Sequence, residues 1–324
     1  MLRIRHATTA TVLGLSLTCA VALAGCSSGG SGDSGTAGAT GQAADTAGAA
    51  TTAAADYTGR TLTIWHYESE NSAMGLAWAK AEEIFKAEHP GVTVTVVPQT
   101  FEQIQKNAKI ILTGDDVPDV MEYNKGNATA GQLASQGLLT PLDDEVTARG
   151  WDKIVSGALA ATGQYDDRGL MGSGSWYGIT NYGEYVTVYY NADLFEANGI
   201  AVPTTFDEFT AAMDAFVAKG ITPLAAAGAE YPMMQIWYEL ALSKADRTLV
   251  NEFELFDGDL DWHNAAFTYA TDTLREWVDK GYIASDSAGL VAEDMGTGFI
   301  SGQYPIMISG SWWFARVKDE AQFN

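Results

Sequence analysis

Residue types that commonly carry catalysis are present, but not in catalytic patterns. There is no GxxxxGK[ST], HExxH or GxSxG, so ATP hydrolysis, zincin chemistry and the hydrolase nucleophile elbow lack their signatures. The flanks of His66, His89 and His263 show no ligand spacing, which leaves a histidine zinc site only weakly supported. Acidic residues are numerous enough to supply a glycosidase pair, yet nothing in one sequence says which two would stand at the required separation. Asp257-Gly258-Asp259-Leu260-Asp261 looks like the start of a calcium loop but lacks the glycine at the sixth place and the glutamate at the twelfth, so a hairpin turn is expected there. The distinctive feature is aromatic residues beside polar ones: His66-Tyr67-Glu68-Ser69-Glu70, Tyr123-Asn124 and Tyr182-Gly183-Glu184. Ligands of open α/β sheets sit outside the carboxyl ends of strands, so three groups at such ends could share one cleft. The alternative for each ring is that it finishes a packing layer with its polar tip in water.

The elements that must position these groups alternate. Leu62-Thr63-Ile64-Trp65 reads as a buried strand, followed by a helix with Trp78, Ala81 and Phe85 on one face. His89-Pro90-Gly91 breaks it, and Val92-Thr93-Val94-Thr95-Val96 alternates as a second strand, so a βαβ unit and a parallel sheet are expected. A helix near Phe101 to Leu112, a strand around Asp119 to Tyr123, a helix ending near Gly137 and a strand from Tyr185 to Tyr190 continue the pattern. Thr205-Phe206-Asp207-Glu208 fits a capping box, with Thr205 at the cap and Glu208 reaching back to it. Phe206, Phe209, Met213, Phe216 and Val217 form one apolar stripe, and Phe267, Ala270, Leu274, Trp277 and Val278 form another.

The 324 residues are enough for two ordinary domains, and 47% hydrophobic content supports sizeable cores. A net charge of −23 disfavours the phosphate contacts of nucleic-acid binding and peripheral adsorption on anionic lipid. Arg3, Arg5 and His6 precede a mostly apolar run from Val12 to Leu23 and then small residues, the pattern of a secretory signal; the uncharged stretch from Ala7 to Gly25 could instead be an uncleaved anchor helix. Leu23-Ala24-Gly25-Cys26 resembles the lipobox of bacterial lipoproteins, which implies cleavage before Cys26 and lipidation of that cysteine. Cleavage removes Cys19, Arg3 and Arg5, moves the net charge from −23 to −25 and leaves no disulfide. Ser27 to Asp56 is Gly, Ser, Thr and Ala except for Asp33, Gln42, Asp45 and Asp56, and so reads as a flexible tether; the GxGxxG match at Gly30 to Gly35 has no strand before it or helix after it.

Four stretches carry a wider likeness: "TLTIWHYESE", "TGDDVPDVMEYN" leading to "ASQGLLTPLDD", "YVTVYYNADLFEANGIAVPTTFDEF" and "FISGQYPIMISGSWWF". In their order and spacing across 57–324 the chain resembles the extracellular solute-binding proteins of ABC importers, in their carbohydrate-binding branch. The resemblance implies a two-lobed α/β fold with a hinge and an interlobe cleft: residues 1–25 as signal peptide, 26–56 as lipidated cysteine and tether, 57–178 as the first lobe and 179–324 as the second. It also implies a chain that stops before the family's return to the first lobe, a C-terminal truncation.

Carried over residue by residue, the resemblance puts Glu68, Ser69 and Glu70 in the loop that contacts ligand hydroxyls, and Tyr123 where an aromatic lines the cleft. It puts Glu184, seven residues before Asn191, at a sugar-binding carboxylate. Glu230, Tyr231 and Trp237 fall in the second lobe's binding segment. Trp312 matches the stacking tryptophan of a Gly-x-Trp turn, with the adjacent Trp313 expected in packing. Asn124 and Tyr182 join them from the aromatic-polar groups. Glu70 stands where maltose-binding members have a basic residue, and the loop after Tyr123 is longer, which argues against maltose itself.

The expected function is capture of a sugar or oligosaccharide by a monomeric, lipid-anchored protein on the extracellular face of the membrane. Delivery to the membrane permease of an ABC importer would follow, with no cofactor, no metal, no nucleic acid and no catalysis. A non-sugar solute and an extracellular carbohydrate-active enzyme are the alternatives.

Overall fold

Two β-branched runs separated by a helix-forming stretch are the start of the first sheet. The computed structural model describes residues 57–324, so Cys26, the segment 1–25 and the tract up to Asp56 lie outside the described residues. β1 (Thr61–His66) leads through α1 (Ala73–Glu88) to β2 (Thr93–Pro98), which runs parallel to β1 with Thr61 opposite Thr93. α2 (Phe101–Leu112) opens on a capping box between Thr100 and Gln103 and leads to β3 (Val120–Met121) on the other side of β1, giving the order β2-β1-β3. β3 itself is two residues long. The ladder nevertheless extends over most of the predicted run, because Asp119 N–H donates to the Thr63 carbonyl at 2.9 Å and Glu122 N–H to the Trp65 carbonyl at 2.8 Å. α1 departs from its predicted face: Trp78 and Phe85 are half-buried, Ala81 is exposed, and Gly75 is its one buried residue.

α3 (Ala130–Ser135), α4 (Asp143–Arg149) and α5 (Ala158–Ala161) follow, and β4 (Gln164–Tyr165) pairs antiparallel with β5 (Ser175–Trp176). The second three-stranded sheet begins with β6 (Val186–Tyr190). After it come α6 (Ala192–Ala197), α7 (Phe206–Val217), β7 (Leu224–Ala225) and α8 (Pro232–Leu242). α9 (Arg247–Glu254), α10 (Ala265–Asp279), α11 (Ala292–Ile300), β8 (Ile306–Gly310) and α12 (Phe314–Glu320) complete the order. β8 lies in the middle, parallel to β7 and antiparallel to β6. A parallel sheet is thus right for the first lobe, while the second is mixed; an apolar run identifies a strand but carries no information about its direction.

The second lobe's core is where the two predicted stripes meet. Phe209, Met213 and Phe216 of α7 pack with Phe267, Ala270 and Trp277 of α10 and with Ile306 of β8, all buried. Phe206 and Val278, at the stripes' edges, are 50% and 44% exposed. At the start of α7, Thr205 accepts from the Glu208 N–H at 3.2 Å as expected. The Glu208 carboxylate reaches one residue further, however, to the N–H and hydroxyl of Thr204, both at 2.8 Å. Asp257 to Asp261 is not a hairpin turn. It joins α9 to α10, whose apolar positions repeat with helical period and leave no strands to pair.

Candidate functional site

The loop after β1 is held in place by the first turn of α1. A Cβ on Gly75 would lie 2.0 Å from the Ser69 carbonyl oxygen, so only glycine lets the helix approach this closely. Ser72 caps α1 by accepting from the Gly75 N–H at 2.9 Å, and its hydroxyl lies 3.1 Å from Glu68 Oε2 and 2.9 Å from the Ser69 carbonyl. His66, at the end of β1, is buried, stacks on Trp78 at 5.6 Å, and accepts from the Glu68 N–H at 3.2 Å. Burial pushes its pKa down, so at neutral pH it is an uncharged packing residue.

The three aromatic-polar groups converge. Tyr182 donates its hydroxyl to Glu68 Oε1 at 3.0 Å, and Tyr67 donates to Asn124 Oδ1 at 3.2 Å. A cleft of about 450 Å³ opens beside them, lined by Tyr67, Glu122, Tyr123, Asn124, Tyr182 and Glu184 among others. That volume is within the range of small-molecule sites. The expected lobe boundary at 178 falls within the segment Tyr177 to Glu184 that lines this cleft. Among the described residues no cluster of three or more His, Cys, Asp or Glu is placed to hold a metal ion.

Electrostatics follow from burial and crowding of like charges. Burial, then Glu68 and Glu122, push the Glu184 carboxyl up to about 7, although one side of it is open to solvent. Burial and Glu68 raise Glu122, against weaker opposing donors that include Asn181, whose amide donates to Glu122 Oε1 at 3.3 Å. Burial and the same carboxylates raise Tyr67, while burial leads for Tyr182, with Tyr67, Glu184 and Glu68 adding to it. The phenols therefore stay protonated and offer O–H donors, the glutamate oxygens offer acceptors, and Glu184 near neutrality can offer either.

A run of rings continues away from the cleft wall. Tyr67 meets Phe101 edge-on at 5.2 Å, Phe101 meets Tyr231 at 6.4 Å, and Tyr231 meets Trp312 at 6.0 Å. The turn that carries Trp312 is tied to the segment after Glu184, because Ser311 N–H donates to the Tyr185 carbonyl at 2.9 Å and so extends the β6–β8 ladder. Its ring folds over Gly310, where a Cβ would lie 1.7 Å from it, and it keeps 38% exposure. The neighbouring Trp313 turns the other way, 5% exposed, onto Gly296 of α11 and into the second lobe's smaller cluster.

The other sequence-predicted residues are placed unevenly. Ser69 and Glu70 are exposed at the rim of the β1 loop. Glu230 accepts from the Ala292 N–H at the start of α11 at 3.0 Å and lies 3.7 Å from Lys106 of α2. Trp237 is not brought to this group. It sits on the face of α8 turned toward α10, its ring 5.0 Å from Phe267 and its N–H donating to Thr271 at 3.0 Å. Sequence reasoning missed Glu122, Asn181 and Phe101. Glu122 could have been found one residue before Tyr123 at a strand's carboxyl end, whereas Asn181 and Phe101 carry no signal until the chain is folded.

Residues 67–323 match the family model described as bacterial extracellular solute-binding protein. A probable sugar-binding periplasmic protein of Rhizobium meliloti (strain 1021) is 30% identical over 157 residues, which cover 47% of this chain and 36% of that protein. Among solved structures, a chitin oligosaccharide binding protein aligns with a TM-score of 0.64 at 26% identity, over 81% of this chain and 64% of that one. The GacH receptor of Streptomyces glaucescens GLA.O, solved unliganded and with acarbose, aligns with a TM-score of 0.62 at 26% identity, over 81% and 63%. The chain thus spans under two thirds of these relatives.

Proposed function

The chain belongs to the bacterial extracellular solute-binding proteins, and from that membership we propose that it captures a sugar or oligosaccharide in the cleft between its lobes and passes it to the permease of an ABC importer. The observation that carries this reading is the convergence of Tyr67, Tyr123 and Tyr182 with Glu122, Glu184 and Asn124 on one cleft. Sugars present CH faces that pack on rings and hydroxyl edges that need donors and acceptors together, and this lining supplies both. Glu68 is tied to the lining through Tyr182, and Tyr231 and Trp312 are reached from Tyr67 through the ring of Phe101; Ser69, Glu70 and Glu230 belong to the proposed site on the family resemblance alone. Likeness to relatives named for sugar binding supports the same solute class. Selectivity for the closed arrangement of the lobes would come from ligand contacts made by both, without covalent chemistry.

The proposal extends to the N-terminal segment: residues 1–25 as a cleaved signal, Cys26 as the lipidated first residue, and 26–56 as the tether of a monomer held at the extracellular face of the membrane. Its support is the lipobox-like sequence and the small-residue composition. Calorimetric titration of the full chain with a panel of mono- and oligosaccharides should give at least one saturable ligand. Heat with no sugar, together with tight binding of a peptide or polyamine, overturns the sugar assignment. One observation favours a second reading. Glu122 and Glu184 line the cleft together and the latter's pKa is raised, as a glycosidase acid requires. Shortened products after incubation with oligosaccharides would establish that reading, and unchanged substrates would exclude it.

A further inference from the structure

We infer that the C-terminal end of α9 is a latch between the lobes, with Asn127 of the first lobe and Leu255 of the second as its positioning residues; the inference rests on the two-lobed reading above and is independent of which solute is bound. α9 is anchored in the second lobe, where Phe253 packs on Tyr238 of α8 at 5.1 Å and on Phe267 of α10 at 5.5 Å. Its last turn reaches out of that lobe. The last carbonyls of a helix have no partner within it, so the Glu254 carbonyl is available to a donor from outside. Asn127 supplies that donor: its amide N–H donates to the Glu254 carbonyl at 3.1 Å, while its amide oxygen accepts from the Met171 N–H at 2.7 Å. Both bonds are partly shielded from water. One side chain thus holds a first-lobe strand turn with one end and α9 with the other.

The next two residues add an apolar contact and a strained backbone. Leu255 packs against the cluster of Ala134, Tyr165 and Met171, whose other members all come from the first lobe. Its seat is Gly172, where a Cβ would lie 3.2 Å from Leu255 Cδ2. Phe256 follows with φ at 52°, the one non-glycine residue in the left-handed region among the described residues. Its ring is 52% exposed, so burial of its own side chain does not account for that conformation. A bulky residue persists there only where its surroundings over-determine it, and the fixed contacts of Glu254 and Leu255 immediately before it do so. The latch also connects with the cleft. Gly126 N–H, next to Asn127, donates to the Tyr165 hydroxyl at 3.1 Å, and Tyr165 both lines the cleft and belongs to the cluster under Leu255. Asn124 and Lys125 of the same loop line the cleft too, whereas α9 contributes no lining residue. Parting α9 from Asn127 therefore loosens a cleft wall, and a solute that draws the lobes together favours the latched arrangement through the same coupling.

The test measures distances between the lobes in the full chain without ligand. Spin labels are placed on exposed Thr147 of α4 and Asp272 of α10, and in a second sample on Glu88 of α1 and Asp319 of α12, with Cys19 and Cys26 replaced by serine. Asn127→Asp keeps an acceptor for the Met171 N–H but has no donor for the Glu254 carbonyl, so it breaks the interlobe half of the contact alone. Leu255→Ala removes the apolar contact from an otherwise unaltered helix end. Each should lower the ratio of latched to parted lobes roughly tenfold, the weight of one such contact, and the double variant should lower it further, read as a growing second distance population. Circular dichroism reports that the variants are folded. A role confined to shaping the first-lobe loop predicts that Asn127→Asp matches the parent, because the Met171 bond survives. Distance distributions that stay unchanged for both label pairs in the double variant overturn the latch. The sugar titration is read separately: distances that respond while no sugar binds uphold the latch and overturn the sugar reading, and a sugar that binds while the distances stay fixed does the reverse.

Discussion

Replacing Glu184 by glutamine should stabilise the ligand-free protein at alkaline pH and leave its stability at acid pH unchanged. The carboxyl moves from 4.5 to about 7 because it is desolvated and faces Glu68 and Glu122. Between those two values the folded protein binds more protons at this site than the unfolded chain. Stability therefore falls as pH rises through that window, and the penalty is complete above it. Each pKa unit corresponds to about 1.4 kcal/mol, but one side of Glu184 is open to water, and solvent screening reduces the effective cost to ~1 kcal/mol. In a folded body of this size that is a shift of about 2 to 4 °C in melting temperature. Thermal unfolding of the parent and Glu184→Gln at acid, neutral and alkaline pH measures it: the two curves should coincide near pH 4 and separate in favour of the variant by pH 9. A constant difference at every pH, or a less stable variant at pH 9, would refute the claim that this carboxylate is held against its neighbours.

Three other changes probe other levels of the structure. Gly75→Ala puts a methyl group 2.0 Å from the Ser69 carbonyl, so urea denaturation should show a loss of about 1 to 3 kcal/mol, and any sugar affinity should fall as the Glu68 loop shifts. Phe216→Ala empties a fully buried position between α7 and Phe195 and should cost about 3 to 5 kcal/mol, read as a lower denaturation midpoint without loss of cooperativity. Cys26→Ala should release the protein from the membrane fraction of cells, whereas unchanged membrane association would favour an uncleaved N-terminal helix.

Local pattern accounts for the elements that proved legible. β1, β2 and β6 are β-branched or aromatic runs between breakers, α2 runs over the predicted Phe101 to Leu112, and Thr205 caps α7 as its position before an apolar stripe requires. Within the site, Glu68, Tyr123, Asn124, Tyr182 and Glu184 could be selected before folding because each stands at a strand boundary, where α/β folds leave side chains uncovered. The pairing of Trp312 with Trp313 also split as expected. Two successive residues at the end of β8 cannot share one face, and Gly310 and Gly296 give each ring its own floor.

What only the folded chain decided are relations between distant segments. Trp237 has the chemistry of a binding residue, but the period of α8 turns it onto α10. Glu122 stands at a legible strand end, but only the folded chain shows that it is buried there, 7% exposed, against the Asn181 amide. The direction of β6 against β8, the short reach of β3 and the meeting of Tyr182 with Glu68 across 114 positions depend on long-range packing. By itself the sequence determined which stretches form strands and helices, the acidic balance, and the alternation that makes an α/β body. Tertiary structure decided which carboxylates share a cleft and therefore feel one another. The reason is physical: propensity and periodicity act over a few residues, whereas desolvation and charge repulsion act over a few ångströms, whatever the separation along the chain.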